Sequence, residues 1–109
     1  NMFALFVVSL AYNLKARPPL VEVFSMPNCK HCDVAKVYLE DSGIKFVEFD
    51  VSKDRAAKID MLLRTGGTAR TVPQIFIGGE HVGGCSEMLR EAKGGKLATR
   101  LWHNRWVGC

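Results

Sequence analysis

The sequence has no apolar run long enough to cross a bilayer. About 20 such residues are needed, and the greasiest stretch, Phe3 to Leu10 within Met2–Leu14, stops well short. That stretch also lacks the cationic flank and the small-x-small cleavage pattern of a secretory leader. There is no second Cys-x-x-Cys and no His-x₃₋₅-His pair, because the cysteines stand at 29, 32, 85 and 109 and the histidines at 31, 81 and 103. A closed structural zinc site is therefore disfavoured. Four cysteines so placed do not make a disulfide scaffold, and a reducing, cytoplasmic compartment is expected. Basic residues nowhere cluster: Lys30, Lys36, Lys45, Lys53 and Lys58 alternate with acids, and the net charge is only +4. This describes a solvated mixed-charge surface, with no nucleic-acid partner expected. Repeats and low-complexity tracts are absent too.

What remains is a chain of 109 residues, 48% of them apolar, enough for one domain with a modest core. Residues 1–19 are expected to be an apolar N-terminal extension and a linker, since Pro18-Pro19 stops both helix and strand. As a helix, Met2–Leu14 would be greasy all round. It reads as a segment packed on the core or on a second copy of the chain, with a membrane-directed segment as the alternative. Residues 20–109 then read as the folded domain.

The pattern becomes regular at Leu20. Leu20–Phe24 is expected to be a buried strand, and Pro27-Asn28 turns it into a helix running to about Asp41. Val34, Val37 and Tyr38, flanked by Ala35 and Leu39, give that helix its apolar side, and Ser42-Gly43 ends it. Ile44–Phe49 alternates as a second strand, and Asp50-Val51-Ser52 supplies a cap for a helix lined by Ala56, Ile59, Leu62 and Leu63. This strand–helix–strand–helix order implies parallel pairing. Thr65–Arg70 reads as a loop, Gly78-Gly79 as the turn of a hairpin, Cys85-Ser86-Glu87 as a helix start, and about Lys96–Trp102 as the last helix. Trp102 and Trp106 read as packing residues.

The chemistry centres on Cys29-Lys30-His31-Cys32. A Cys-x-x-Cys where a strand feeds a helix reads as a redox dithiol, with its first sulfur at the positive end of the helix. Such a position, with cationic neighbours, lowers a thiol pKa from about 8.5 to roughly 3.5–7.5. Cys29 is the expected nucleophile. Lys30 adds positive charge beside it, and His31 adds more when protonated. Cys32, about one turn on, can return to displace whatever Cys29 has captured. Half of a zinc site is the alternative reading of the pair.

Three separated motifs now agree: the strand followed by Cys29-x-x-Cys32, Thr71-Val72-Pro73 before a hairpin, and Gly83-Gly84-Cys85-Ser86. In this order and spacing the sequence resembles the glutaredoxins of the thioredoxin superfamily over about Val21–Leu101. The resemblance implies an α/β, thioredoxin-like fold with a four-stranded mixed sheet flanked by helices, here carrying an extra apolar N-terminal segment. It implies glutathione as reductant, Cys29 as the residue that forms the mixed disulfide, and a cis Pro73. Glutathione would be held by Lys30, His31, Arg70, Thr71, Val72, Pro73, Gly84, Cys85 and Ser86. Of these, the Val72 backbone pairs with the cysteinyl unit, Cys85 and Ser86 take the γ-glutamyl carboxylate, and Arg70 takes the glycine carboxylate. Glutathione carries two carboxylates and an ammonium, so helix-end amides, a cation and an extended backbone edge suit it.

The sequence departs from the common family pattern in three places. Lys30-His31 replaces Pro-Tyr between the cysteines, and Met26 stands where relatives have Lys. The loop before Thr71 is also about two residues longer than in many relatives. The expected function is glutathione-dependent reduction of protein disulfides and glutathionylated proteins, by a monomer or weak dimer. The alternative is a [2Fe–2S] carrier in which Cys29 of each of two protomers holds the cluster, a role the resemblance allows when Pro is missing after the first Cys. A glutaredoxin-like protein served by thioredoxin reductase is a third reading. Cys85 reads equally as a small buried residue or as a regulatory thiol, and Cys109 as a free terminal thiol.

Overall fold

The computed structural model describes residues 18–106, the side chains of 103–106 excepted. The readings of residues 1–17 and of Trp106, His103 and Cys109 lie outside the described side chains. Among the described residues four strands and four helices follow in order: β1 (Val21–Ser25), α1 (Lys30–Asp41), β2 (Val47–Asp50), α2 (Arg55–Arg64), β3 (Gln74–Ile77), β4 (Glu80–Gly83), α3 (Cys85–Gly94) and α4 (Lys96–Trp106). The sheet order is β2-β1-β3-β4. β1 pairs parallel with β2, from Glu22↔Val47 to Ser25↔Asp50, and antiparallel with β3, from Val21↔Ile77 to Phe24↔Gln74. The β3–β4 hairpin completes the mixed sheet, which is the expected thioredoxin-like architecture.

Strand alternation divides the core between the two faces of the sheet. Val21 and Val23 of β1 and Ile75 and Ile77 of β3 pack with Ala35 and Leu39 of α1, Cys85 and Met88 of α3, and Leu97 and Leu101 of α4. Phe24 and Phe76 point to the opposite face, where Ala57 and Met61 of α2 cover them. Both central strands are therefore apolar on both faces, as a sheet covered on two sides requires.

The helix faces differ from the sequence expectation. On α1 the buried residues are Cys32, Ala35 and Leu39, whereas Val34 and Val37 are 43% and 53% exposed. Cys32 must lie inward beneath Cys29, and that sets the rotation of the helix; residues three and seven positions on then share its face. On α2 the buried residues are Ala57 and Met61, while Ile59 is 48% and Leu63 75% exposed. The small Ala57 allows close approach to the aromatic face of the sheet. The cap of α2 is also elsewhere: Asp54 accepts the Ala57 N–H at 3.1 Å, and Asp50 instead closes a turn by accepting from the Ser52 N–H at 2.9 Å. β2 begins later than expected because Ile44 is still engaged by the end of α1, its N–H donating to the Leu39 carbonyl at 2.9 Å. Ile44 and Phe46 pack against the core without ladder pairing. Trp102 lines a surface groove with Pro18, Ile44 and Leu101. Among the described residues no helix is long and apolar enough to cross a membrane.

Two polar links clamp helices to the sheet, one to β1 and one to β2. Arg64 forks onto Glu22, with Nη2 at 2.7 Å from Oε1 and Nη1 at 3.1 Å from Oε2, and its guanidinium lies 4.1 Å from the Phe76 ring centroid. On the other face Lys36 Nζ meets Glu48 Oε2 at 2.8 Å, and the Ser25 hydroxyl donates to the same oxygen at 2.5 Å. The Lys36 ammonium, then the Ser25 hydroxyl, hold the Glu48 carboxyl below the ordinary range, and Glu48 in turn raises Lys36.

Arg64→Ala is expected to destabilise the fold by about 2 kcal/mol in a denaturant titration, because it leaves the largely buried Glu22 carboxylate unpaired. Glu48→Gln should lower the melting temperature at pH 7 by no more than about 5 °C, since the Glu48 side chain is 39% exposed and screened. The depressed Glu48 contributes stability above its unfolded pKa of about 4.3, lost as pH falls through the lower folded value. The raised Lys36 contributes below about 10.4, lost as pH rises through the higher folded value. The wild-type-minus-variant difference, followed by calorimetry across pH, should therefore vanish in acid.

Candidate active site

β1 delivers the chain to the site, and Asn28, in the left-handed region at φ 58°, turns it abruptly into α1. Asn is among the few side chains that tolerate this conformation. Cys29 is the N-cap of α1: its backbone is extended and its Sγ accepts the Cys32 N–H at 3.2 Å. The first N–H groups of a helix have no partner within it, so a sulfur at the cap receives a donor aimed at it and the field of the helix end. Both favour thiolate over thiol at Cys29. Cys32 is fully buried, whereas Cys29 is part-exposed. The two are joined as a disulfide with Cα atoms 5.2 Å apart. Lys30 and His31 occupy the exposed first turn of α1.

The second wall is the loop before β3. The Val72–Pro73 peptide is cis, Pro73 is buried, and the Val72 carbonyl oxygen stands 3.8 Å from Cys29 Sγ. A backbone carbonyl thus lies directly beside the part-exposed sulfur. Thr71 and Arg70 are exposed on the same loop.

The third wall is the start of α3. Gly84, its N-cap, comes close to the Pro73 backbone: a Cβ placed there would lie 3.4 Å from the Pro73 carbonyl oxygen and 3.2 Å from Glu87 Oε1. Gly83 has φ +121° and would place a Cβ 3.0 Å from the Glu87 side chain, so only glycine fits there. Glu87 accepts the Gly84 N–H at 2.8 Å and the Ser86 hydroxyl at 2.5 Å. The Ser86 hydroxyl, then the Gly84 amide, hold the Glu87 carboxyl low. A Glu three residues after the N-cap, the acidic half of a capping box, is the sequence signal for this role of Glu87. Cys85 is buried, and burial, with the nearby Glu87 charge, pushes its thiol up.

Segments 29–32 and 71–73 therefore meet at the Cys29 sulfur, and the head of α3 packs against the Pro73 backbone of the second. Among the described residues no group of three or more His, Cys, Asp or Glu could hold a metal ion. The glutaredoxin family model matches residues 21–82. The chain belongs to the glutaredoxin family. It is 38% identical over 76 residues to glutaredoxin 3 of Escherichia coli strain K12, an alignment that covers 69% of this chain and 89% of that protein. It is 37% identical over 94 residues to human glutaredoxin-1, with 82% and 88% covered. Buckwheat glutaredoxin, solved in complex with glutathione, superposes with a TM-score of 0.67 at 30% identity, covering 88% of this chain and 87% of that one. As a glutaredoxin the protein is a thiol–disulfide oxidoreductase, and Cys29–Cys32 is its redox-active disulfide.

Differential exposure makes the thiols chemically distinct. When the reduced protein is treated briefly with iodoacetamide at pH 7 and mapped by peptide mass spectrometry, Cys29 is expected to be alkylated first. Cys32 and Cys85 should react only after denaturant is added. Labelling of Cys85 ahead of Cys29 in the native protein would contradict the placement described.

Proposed function

We propose that this glutaredoxin uses glutathione as its reductant and acts on glutathionylated proteins and protein disulfides. The observation that carries the reading is the Val72 backbone edge held beside Cys29 Sγ at 3.8 Å, with the head of α3 brought up against Pro73. A tripeptide with one thiol and a carboxylate near each end suits such a site. Its cysteinyl unit pairs with Val72 in the manner of an added strand. Its γ-glutamyl carboxylate goes to the amides of Cys85 and Ser86, beyond the one that Glu87 already caps, and Arg70 offers a cation to the glycine end. The complex of the buckwheat relative with glutathione supports the same reading.

On a glutathionylated protein, Cys29 thiolate attacks the glutathionyl sulfur. The Cys29–glutathione disulfide forms, and the substrate sulfur leaves as a thiolate that takes up a proton. A second glutathione thiolate then attacks the bound glutathione sulfur, releasing glutathione disulfide and restoring Cys29 thiolate. On a protein disulfide, Cys29 forms a mixed disulfide with the substrate. Cys32 thiolate then attacks Cys29 Sγ, which releases the second substrate thiolate and leaves the Cys29–Cys32 disulfide, and two glutathiones in succession reduce it. Full burial of Cys32 beside a part-exposed Cys29 supports this division of roles, since an incoming disulfide meets Cys29 first. No observation favours the [2Fe–2S] alternative.

Turnover of a peptide–glutathione mixed disulfide, coupled to glutathione reductase, tests the assignment. Cys29→Ser should abolish activity. Cys32→Ser should retain it on the mixed disulfide and lose reduction of a protein disulfide. A Cys29→Ser protein that keeps most of its turnover would remove Cys29 as the nucleophile.

A further inference from the structure

Gln74 is a polar side chain in a place that asks for an apolar one. It belongs to β3, all four of whose residues are buried, and is itself 6% exposed. A buried amide is costly unless its donors and acceptor are matched. Here they are matched by the site loop and by the hairpin. Gln74 Nε2 lies 3.0 Å from the Thr71 carbonyl oxygen and 3.4 Å from Thr71 Oγ1. Gln74 Oε1 lies 2.7 Å from His81 Nε2. A main-chain carbonyl can only accept, so the amide nitrogen must face Thr71 and the amide oxygen must face His81; His81 therefore carries its proton on Nε2. Its ring rests against Phe76, with centroids 5.0 Å apart, and Phe76 is the residue opposite it in the β3–β4 register.

Thr71 immediately precedes Val72, the residue whose carbonyl faces Cys29. The carbonyl of Thr71 and the N–H of Val72 belong to one planar peptide, so fixing the first fixes the direction of the second. We infer that Gln74 and His81 are positioning residues, which hold the Thr71 carbonyl and thereby aim the Val72 backbone edge at an incoming glutathione. The inference rests on the proposed use of glutathione. Both residues act through the loop, and neither touches the reacting sulfur. Protonation of His81 leaves Nε2 a donor, so the contact to Gln74 survives it.

Steady-state kinetics with glutathione as the varied substrate and a fixed peptide–glutathione mixed disulfide test this, with melting temperature measured alongside. In Gln74→Leu, loss of the loop anchor is expected to raise KM for glutathione about five- to tenfold with kcat within about twofold, as one mispositioned hydrogen-bonding edge would. His81→Leu, at an exposed position, should raise KM in the same direction by about threefold and should fold whatever Gln74→Leu does. His81→Gln keeps an N–H donor and should return KM toward the wild-type value. In the Gln74→Leu background, His81→Leu should add nothing. Lower melting temperatures with KM unchanged in both single variants would overturn the inference and leave a purely structural role. A wild-type protein that turns over without glutathione would instead overturn the reading on which it rests.

Discussion

A thiolate is stable inside a protein only where donors face it, and it is useful only where a second molecule can reach it. Cys29 meets both conditions because it is the cap of α1 rather than a member of it. Its sulfur accepts the Cys32 N–H on one side and stays part-exposed on the other. Much of the fold serves that placement. β1, covered on both faces, fixes where the chain emerges, and Asn28 supplies the sharp turn. Cys32, buried at the helix–sheet boundary, fixes the rotation of α1, so that Ala35 and Leu39 pack inward and Val34 and Val37 remain outside.

The remaining walls of the site depend on β3. Its antiparallel pairing with β1 brings residues 71–73 alongside the Cys29 turn, and its hairpin with β4 returns the chain at Gly83-Gly84, where two glycines let α3 begin against the Pro73 backbone. α3 in turn anchors the same core through Cys85 and Met88. Core packing and site geometry are thus one construction: the residues that bury β3 also place the loop in front of it. Gln74 sits at that junction, its backbone in the sheet and its side chain on the loop.

Arg64 and Lys36 tie α2 and α1 to opposite faces of the sheet by different means. Arg64 binds the largely buried Glu22 through a two-pronged fork and lies over Phe76, an arrangement that a lysine could not reproduce. Lys36 pairs with a more exposed Glu48 that also accepts from Ser25, and solvent weakens this link. The first is a packing element as much as an ion pair, whereas the second chiefly orients α1 against β2.

By itself the sequence determined the order of strands and helices, the Cys29-x-x-Cys32 pair, the hairpin turn and the family, because each is written locally. A Cys-x-x-Cys after a strand, Gly-Gly between two strands, and Thr-Val-Pro before one carry their meaning in a few adjacent residues. The buried faces of α1 and α2 were not legible in this way. Val34, Val37, Ile59 and Leu63 are the bulkier residues, yet Ala35 and Ala57 are the ones inside, because close approach to the sheet favours small side chains and the rotation of each helix is set from outside it. The caps and polar links were hidden for a related reason. Asp50 and Asp54 are equally good caps on paper, and Glu48, Gln74, His81 and Glu87 look like ordinary polar residues until tertiary contacts supply their partners. Tertiary structure alone decided which donor meets which acceptor across 23 residues between Ser25 and Glu48, or 43 between Cys29 and Val72, since no local pattern encodes a distance closed by the rest of the chain.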